Sequence, residues 1–144
     1  MNAALRTWFV ILATLSLLIT GCGGENEELT LTRGMSIRKS AFVREGTYFI
    51  PGIDSTASAV LTILGRDLVI DFQGAVLQGA NSNEEKGGYS GVAIFVDQAS
   101  HVTLKNLTIR GYKTGLACKS CEDLVLENVI LADNLLPQEN LSIP

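Results

Sequence analysis

Two stretches of this chain, residues 94–109 and 116–131, read IFVDQASHVTLKNLTI and LACKSCEDLVLENVIL. They align without a gap at an offset of 22 residues, which brings Val96 over Cys118 and Asn106 over Asn128. In both stretches apolar residues alternate with polar ones in short runs, and the phase of the alternation breaks at the asparagine. A period of two is typical of a strand with one buried face, so the pattern predicts strands that meet at corners.

An earlier and less regular copy of the same pattern precedes these two stretches. Leu68 and Ile70, followed by Ala75 and Leu77, repeat the apolar pairs with two extra residues at the corner. Each such copy buries its inward side chains only by stacking on its neighbours, which is the property of a solenoid. A leucine-rich repeat has a similar period but a Leu-rich consensus that is absent here. We therefore expect a parallel, all-β solenoid.

The N-terminal residues are typical of an export signal and do not belong to the predicted fold. One basic side chain, Arg6, precedes an apolar run over 8–19 that is shorter than the roughly 20 residues of a membrane-spanning helix. Residues 18–22 read LITGC and resemble the lipobox of bacterial lipoproteins. The resemblance implies that Cys22 is acylated, that residues 1–21 are removed, and that the membrane is a partner. The alternatives are an ordinary secretory signal with an incidental cysteine, or an apolar core helix.

The lipoprotein resemblance also implies a location in the bacterial cell envelope. Gly23 follows the cysteine, which by enterobacterial sorting rules favours the outer membrane over the inner one. Residues 22–28 are small, polar and acidic, so we expect them to form a flexible tether.

Three phrases of the repeat carry a resemblance to a known fold family: 68–79, LVIDFQGAVLQG; 101–112, HVTLKNLTIRGY; and 124–134, LVLENVILADN. They resemble the right-handed parallel β-helix proteins of the pectate-lyase-like superfamily. The resemblance implies a right-handed parallel β-helix of three to four coils. It does not imply one activity, because the superfamily holds lyases, glycosidases, epimerases, phage spikes, adhesins and non-catalytic carriers.

The expected layout assigns 29–144 to the β-helix domain. Residues 29–52 would form a first coil or an N-terminal cap, 60–134 the coils, and 135–144 an irregular tail. That tail holds two prolines and no amphipathic helix to act as a C-terminal cap. Because solenoids need capped ends, we expect a truncated product, or one that self-associates through its open end.

Two residue pairs in the repeat have expected structural roles. Asn106 and Asn128 should stack at a corner and exchange amide hydrogen bonds as a ladder. Cys118 and Cys121 occupy inward positions, where they are buried apolar residues, a disulfide pair or metal ligands. The residues alone leave these three alternatives open, and we expect no resident metal or cofactor.

No catalytic constellation can be assigned. His101 is the single histidine, and its position before a strand predicts a solvated turn. Other charged side chains are expected to face solvent and to form surface pairs instead of a carboxylate cluster, namely Asp71, Asp97, Lys105, Arg110 and Asp133. In the polar insertion 81–91, Tyr89, together with Tyr112, is a candidate for stacking on a sugar ring.

Charge limits the partners. The net charge is -4, and the sequence contains no clustered basic face of the kind that nucleic acid requires.

Three functional hypotheses follow from the export signal and the superfamily resemblance. The first is an envelope-anchored, carbohydrate-related module: a polysaccharide binder or a fragment of a lyase, hydrolase or epimerase. The second is a non-catalytic surface or structural module. The third is a periplasmic metal-delivery accessory, which one histidine and one C-x-x-C support poorly.

Overall fold

The computed structural model describes residues 28–54, 58–80 and 89–135. The export signal, Cys22, the tether up to residue 27, most of the 81–91 insertion and the tail after Leu135 lie outside these ranges. Within them there is no helix, so none is long and apolar enough to cross a bilayer.

Eight strands account for most of the described residues. They are β1 Glu28–Leu29, β2 Met35–Ile37, β3 Ala41–Val43, β4 Thr47–Phe49, β5 Leu61–Gln78, β6 Val92–Arg110, β7 Thr114–Lys119 and β8 Glu122–Ala132. All strand pairs given by the register are parallel, and together they form one sheet. The protein is therefore an all-β protein with a parallel sheet, as the alternation predicts.

The pairing order shows how the repeat is laid out. We call β2–β4 rung 1, β5 rung 2, β6 rung 3 and β7–β8 rung 4. β5 pairs along its length with β2, β3 and β4 in turn, and β6 pairs in turn with β7 and β8. Val96 lies beside Cys118 and Leu107 beside Val129, which confirms the offset of 22 residues between rungs 3 and 4.

Rungs 1 and 2 depart from the regular repeat, rung 2 by extra corner residues and rung 1 by its short strands. Between rungs 2 and 3 the register shifts at Asp71 and Ala75, where rung 2 carries the extra corner residues that the alignment predicts. Rung 1 contains a strand that the sequence analysis did not predict, β3. Its three residues are a short apolar run, and they become recognisable as a strand only through pairing with Ile70 and Asp71 of rung 2.

The core is built from columns of apolar side chains, one from each rung. Ile63 and Val96 are fully buried, and Cys118 occupies the next place in their column. Other inward columns run in the same direction, through Leu61, Ile94 and Leu116; Ile70, Leu104 and Leu126; and Leu77, Ile109 and Leu131. Burial decreases at the last rung, where Leu126 is 40% exposed while Leu104 beside it is 1% exposed.

Corners between the strands need left-handed backbone, and the sequence supplies it repeatedly. Asn106 and Asn128 have φ of 54° and 53°, a conformation that asparagine tolerates better than most residues. A second set of aligned corner residues, Asp67, His101 and Asp123, has φ between 52° and 56°. The polar residues that interrupt the alternation are thus the residues at which the chain turns.

Candidate functional site

The asparagine ladder extends one rung farther than the sequence analysis predicts. Asn128 Nδ2 donates to Asn106 Oδ1 at 3.0 Å, and Asn106 Nδ2 donates to Asp71 Oδ1 at 2.9 Å. The same Asp71 oxygen accepts the backbone N–H of Gln73 at 2.9 Å, which fixes the wider corner of rung 2. Asp71 is therefore committed to structure and is not a free carboxylate.

The outward charges beside this ladder are paired across rungs. Lys105 Nζ lies 2.9 Å from Glu127 Oε2, and both belong to one outward column with Asp71. Asp97 is half-buried, and its Oδ1 has no hydrogen-bond partner among the described residues. Within the same residues no three His, Cys, Asp or Glu side chains form a group that could hold a metal ion.

His101 lies between two carboxylates at a solvated corner. Its Nδ1 is 3.5 Å from Asp67 Oδ1, and its Nε2 is 3.2 Å from Asp123 Oδ2. All three side chains are more than half exposed, so each pair is screened by water and contributes little to stability. Because both ring nitrogens face these carboxylates, His101 acts as part of a solvated corner, in agreement with the predicted solvated turn.

The two cysteines of the C-x-x-C form a disulfide. Cys118 and Cys121 span the corner at Ser120, which has a φ of 53°. The pair occupies the places that Val96 and Ala99 fill in rung 3. It therefore closes the corner of the last rung and packs partly against the core.

Both tyrosines proposed for sugar stacking are buried. Tyr89 is 7% exposed and Tyr112 is fully buried, with its hydroxyl donating to the carbonyl of Ile50 at 2.8 Å. A Cβ at position 79 would lie 2.8 Å from carbon atoms of the Tyr112 ring, which is too close for packed atoms. Glycine at this position therefore leaves room for the ring. Neither ring offers an open face to a ligand, which corrects the expectation drawn from the sequence. Tyr112 instead fills the end of the core.

Burial has a chemical consequence at Tyr112. Removal of its hydroxyl from water raises the pKa of the phenol well above its usual range, and the nearby Arg33 guanidinium offsets part of that rise. The phenol is therefore neutral and acts as a hydrogen-bond donor at any pH near neutrality.

An open surface with the features of a ligand site is formed by the C-terminal segment of each rung. We call it the Phe49 face, and it consists of the outward residues Thr47, Phe49, Val76, Gln78, Thr108, Arg110, Ile130 and Ala132. Phe49 is 51% exposed and Ile130 is 54% exposed, so the face has uncovered apolar area. Arg110 is its one charged member.

Three members of this face lie in a row across the rungs. Phe49 pairs in register with Gln78, and Gln78 pairs with Arg110. Because neighbouring parallel strands lie about 4.8 Å apart, the backbone positions of Phe49 and Arg110 are separated by roughly 10 Å along the row. Ala132 follows Arg110 in rung 4, and its small side chain leaves the guanidinium uncovered on that side.

Gln78 fixes the direction of the guanidinium. Arg110 donates to Gln78 Oε1 from Nε at 3.2 Å and from Nη2 at 2.8 Å, while Gln78 Nε2 donates to the carbonyl of Ala80 at 3.1 Å. These bonds leave the N–H groups of Nη1 and one of Nη2 for a ligand. The row thus presents an aromatic platform at one end and oriented donors at the other.

Of this row, the sequence predicts only Arg110 as an outward residue; Phe49 and Gln78 are not among the predicted site residues. Phe49 falls within 29–52, the expected first coil or N-terminal cap, and only the register with rung 2 shows that it aligns with Gln78. Thr47 and Phe49 lie two residues apart, which is the one signal in the sequence that both face the same side.

Comparison of the chain with protein-family models, with curated proteins and with solved structures gives no match.

Proposed function

We propose that this protein is a lipid-anchored, right-handed parallel β-helix of the bacterial cell envelope that binds polysaccharide without transforming it. The binding site in this proposal is the Phe49 face. The proposal combines three parts: a winding, a ligand site and an anchor. Each is supported by different residues, and the ligand site and the anchor are tested separately.

The parallel register supports the winding. Rungs 2, 3 and 4 follow one another in sequence, each pairs with the next, and each contains the same inward columns. Crossovers between parallel strands are overwhelmingly right-handed, because right-twisted strands pack back onto a sheet in that sense. The resemblance of 60–134 to the pectate-lyase-like superfamily agrees with that hand.

The observation that carries the binding proposal is the row Phe49–Gln78–Arg110. A half-exposed aromatic ring packs against the C–H face of a sugar, and oriented guanidinium donors bind hydroxyl or carboxylate oxygens. Because their backbone positions lie roughly 10 Å apart on one face, the two side chains can contact neighbouring sugar rings of one ligand, and Thr47 and Thr108 add hydroxyl groups beside the row. Because the face has no acidic member, its residues support binding better than acid–base chemistry.

The ligand proposal is tested by titrating the full-length protein with neutral and uronate-containing oligosaccharides by calorimetry. Phe49→Ala should weaken binding about tenfold, the equivalent of roughly 1.4 kcal/mol, since it removes the stacking platform. Arg110→Gln should weaken binding of the acidic sugars more than that of the neutral ones.

A matched control is available on the neighbouring face. Phe42 is 37% exposed and lies in the outward column of Asp71 and Lys105, so Phe42→Ala removes an exposed ring outside the proposed site. It should leave affinity unchanged. Equal losses in Phe42→Ala and Phe49→Ala, or no binding of any oligosaccharide by the unaltered protein, would end the binding proposal.

The anchor proposal rests on residues 18–22 and has its own test. Cells that express the protein and are fed a labelled fatty acid should incorporate the label into it, and Cys22→Ser should abolish the incorporation. Labelling that persists in Cys22→Ser would contradict the assignment of Cys22 as the acylated residue.

A further inference from the structure

A cavity of about 230 Å³ opens where the chain leaves β4 and where it enters β2 and β5. Its described lining comes from three short segments: Arg33 and Gly34; Pro51 and Ile53; and 58–60 together with Thr62. Pro51 follows Phe49 by two residues, but no member of the Phe49 face belongs to this described lining. The cavity is therefore separate from the proposed polysaccharide site.

Hydrogen bonds connect the three segments, so the walls of the cavity are formed before a ligand arrives. Arg33 Nη2 donates to the carbonyl of Pro51 at 2.7 Å. The backbone N–H of Gly34 donates to the carbonyl of Val60 at 2.9 Å. A ligand that enters such a site does not have to order the walls, and this lowers the entropic cost of binding.

One cation sets the charge of the cavity. Arg33 is the single charged side chain in the described lining. Its bond to Pro51 uses one N–H of Nη2, and the described residues show no partner for the other N–H groups of the guanidinium. Asp54 lies outside this lining, and its Oδ1 accepts the backbone N–H of Gly91 at 3.3 Å. The free edge of a guanidinium binds carboxylate oxygens well, often through two parallel hydrogen bonds.

The rest of the lining adds apolar surface and two hydroxyl groups. Ile53 is 45% exposed and Pro51 is also exposed, so both present uncovered apolar area. Ser58 and Thr62 carry hydroxyl groups that can donate to an anion. The volume is smaller than the roughly 300 Å³ at which sites for drug-sized ligands begin, so the cavity suits a small molecule.

We infer that this cavity is a second binding site, which takes a small organic carboxylate with an apolar body. The carboxylate binds the guanidinium of Arg33 and the hydroxyl of Ser58, and the apolar part packs against Pro51 and Ile53. This site depends neither on the lipid anchor nor on the binding of polysaccharide at the Phe49 face.

NMR titration of the isotope-labelled full-length protein with benzoate tests the inference. The amide signals of Gly34, Ile53 and Ser58 should shift and saturate with a dissociation constant of about 1 mM or tighter, as expected for a ligand with so few atoms. The signals of Gln78 and Arg110 should stay in place, because they belong to the other site. Benzamide has nearly the same shape without the charge and should bind at least about tenfold more weakly.

Two substitutions of Arg33 separate its charge from its shape. Arg33→Gln should weaken benzoate binding at least about tenfold, since it removes the cation that holds the carboxylate. Arg33→Lys keeps the charge but not the planar fork, so its affinity should fall between the two. Unchanged amide signals of Leu107 and Ile109 in each variant show that the fold is intact.

The matched control is Arg66→Gln, which removes an exposed arginine outside both the cavity lining and the Phe49 face and should leave benzoate affinity unchanged. Equal affinity for benzoate and benzamide would overturn the inference, as would benzoate binding that survives Arg33→Gln. An absence of shifts at Gly34, Ile53 and Ser58 would also overturn it. Shifts confined to Gln78 and Arg110 would do the same, because they would assign the carboxylate to the Phe49 face.

Discussion

Corner residues of this protein have two tasks, to allow a left-handed turn of the backbone and to satisfy polar groups between rungs. Asn106 does both, with a φ of 54° and amide hydrogen bonds to rungs 2 and 4. His101 and Asp123 meet the conformational requirement at another corner, but their side chains are solvated. The asparagine column is therefore the one in which a substitution should have a measurable cost.

Replacement of Asn106 by alanine should lower the free energy of unfolding by about 2–3 kcal/mol. Part of the loss is the two hydrogen bonds that the Asn106 amide makes with Asn128 and Asp71, and part is left-handed backbone at alanine, which tolerates it less well than asparagine. Asn106→Gly removes the side chain but tolerates the backbone, so it should cost about half as much. Urea unfolding measures both, and equal costs would show that the left-handed backbone contributes nothing.

Tyr112 makes stability sensitive to alkali. Burial raises the pKa of its hydroxyl, so the folded state holds the phenol proton more tightly than the unfolded chain, whose tyrosine titrates near pH 10. Stability from this group is complete below that pH and is lost as the pH rises towards the folded pKa, by about 1.4 kcal/mol per pH unit.

The variant Tyr112→Phe isolates this effect from the titration of lysines. At neutral pH it should be about 1 kcal/mol less stable, because the carbonyl of Ile50 loses its donor. Between pH 10 and 11 the difference from the unaltered protein should shrink or reverse in urea unfolding. A difference that stays constant across this range would show that the phenol is not protected from ionisation.

Among the strands, packing weakens from the middle of the solenoid to its end. The column Ile70, Leu104 and Leu126 crosses rungs 2, 3 and 4 with the same type of inward side chain. Ile70 and Leu104 are buried, while Leu126 is 40% exposed because the described residues place no rung above it. The contribution of a rung therefore depends on whether it has neighbours on both sides.

This gradient predicts unequal costs for one substitution at two places in the column. Leu104→Ala should destabilise the protein by about 3 kcal/mol, the usual cost of emptying a packed core site. Leu126→Ala should cost less than about half of that, since much of its side chain already contacts water. Equal losses in chemical unfolding would indicate that another chain or the tail after Leu135 covers rung 4 in solution.

At the scale of the whole molecule, the regular part of the repeat is what the sequence could predict. Rungs 3 and 4 have identical spacing, so the partners Ile94 and Leu116, or Asn106 and Asn128, follow from alignment alone. Rung 1 could not be predicted as well, because its strands have three residues each and acquire a phase only from rung 2. Short strands contain too few residues to show a period.

The candidate site was less predictable than the fold. Tyr112 is a candidate for sugar stacking from the sequence, but its ring packs inward beside Gly79, a contact between residues 33 apart in the sequence. Phe49 was overlooked because its neighbours in the row, Gln78 and Arg110, come from two other rungs. A site assembled across rungs has no local signature in any one of them.

The stacked parallel register is the claim on which both the candidate site and the asparagine ladder depend. The most direct measurement is a set of inter-strand nuclear Overhauser effects in the isotope-labelled protein, read between residues 22 apart in rungs 3 and 4. The structure predicts amide-to-α-proton contacts between Val96 and Cys118, Leu104 and Leu126, and Ile109 and Leu131, in the pattern of parallel strands. Contacts in an antiparallel pattern, or none between these pairs in a folded sample, would contradict it.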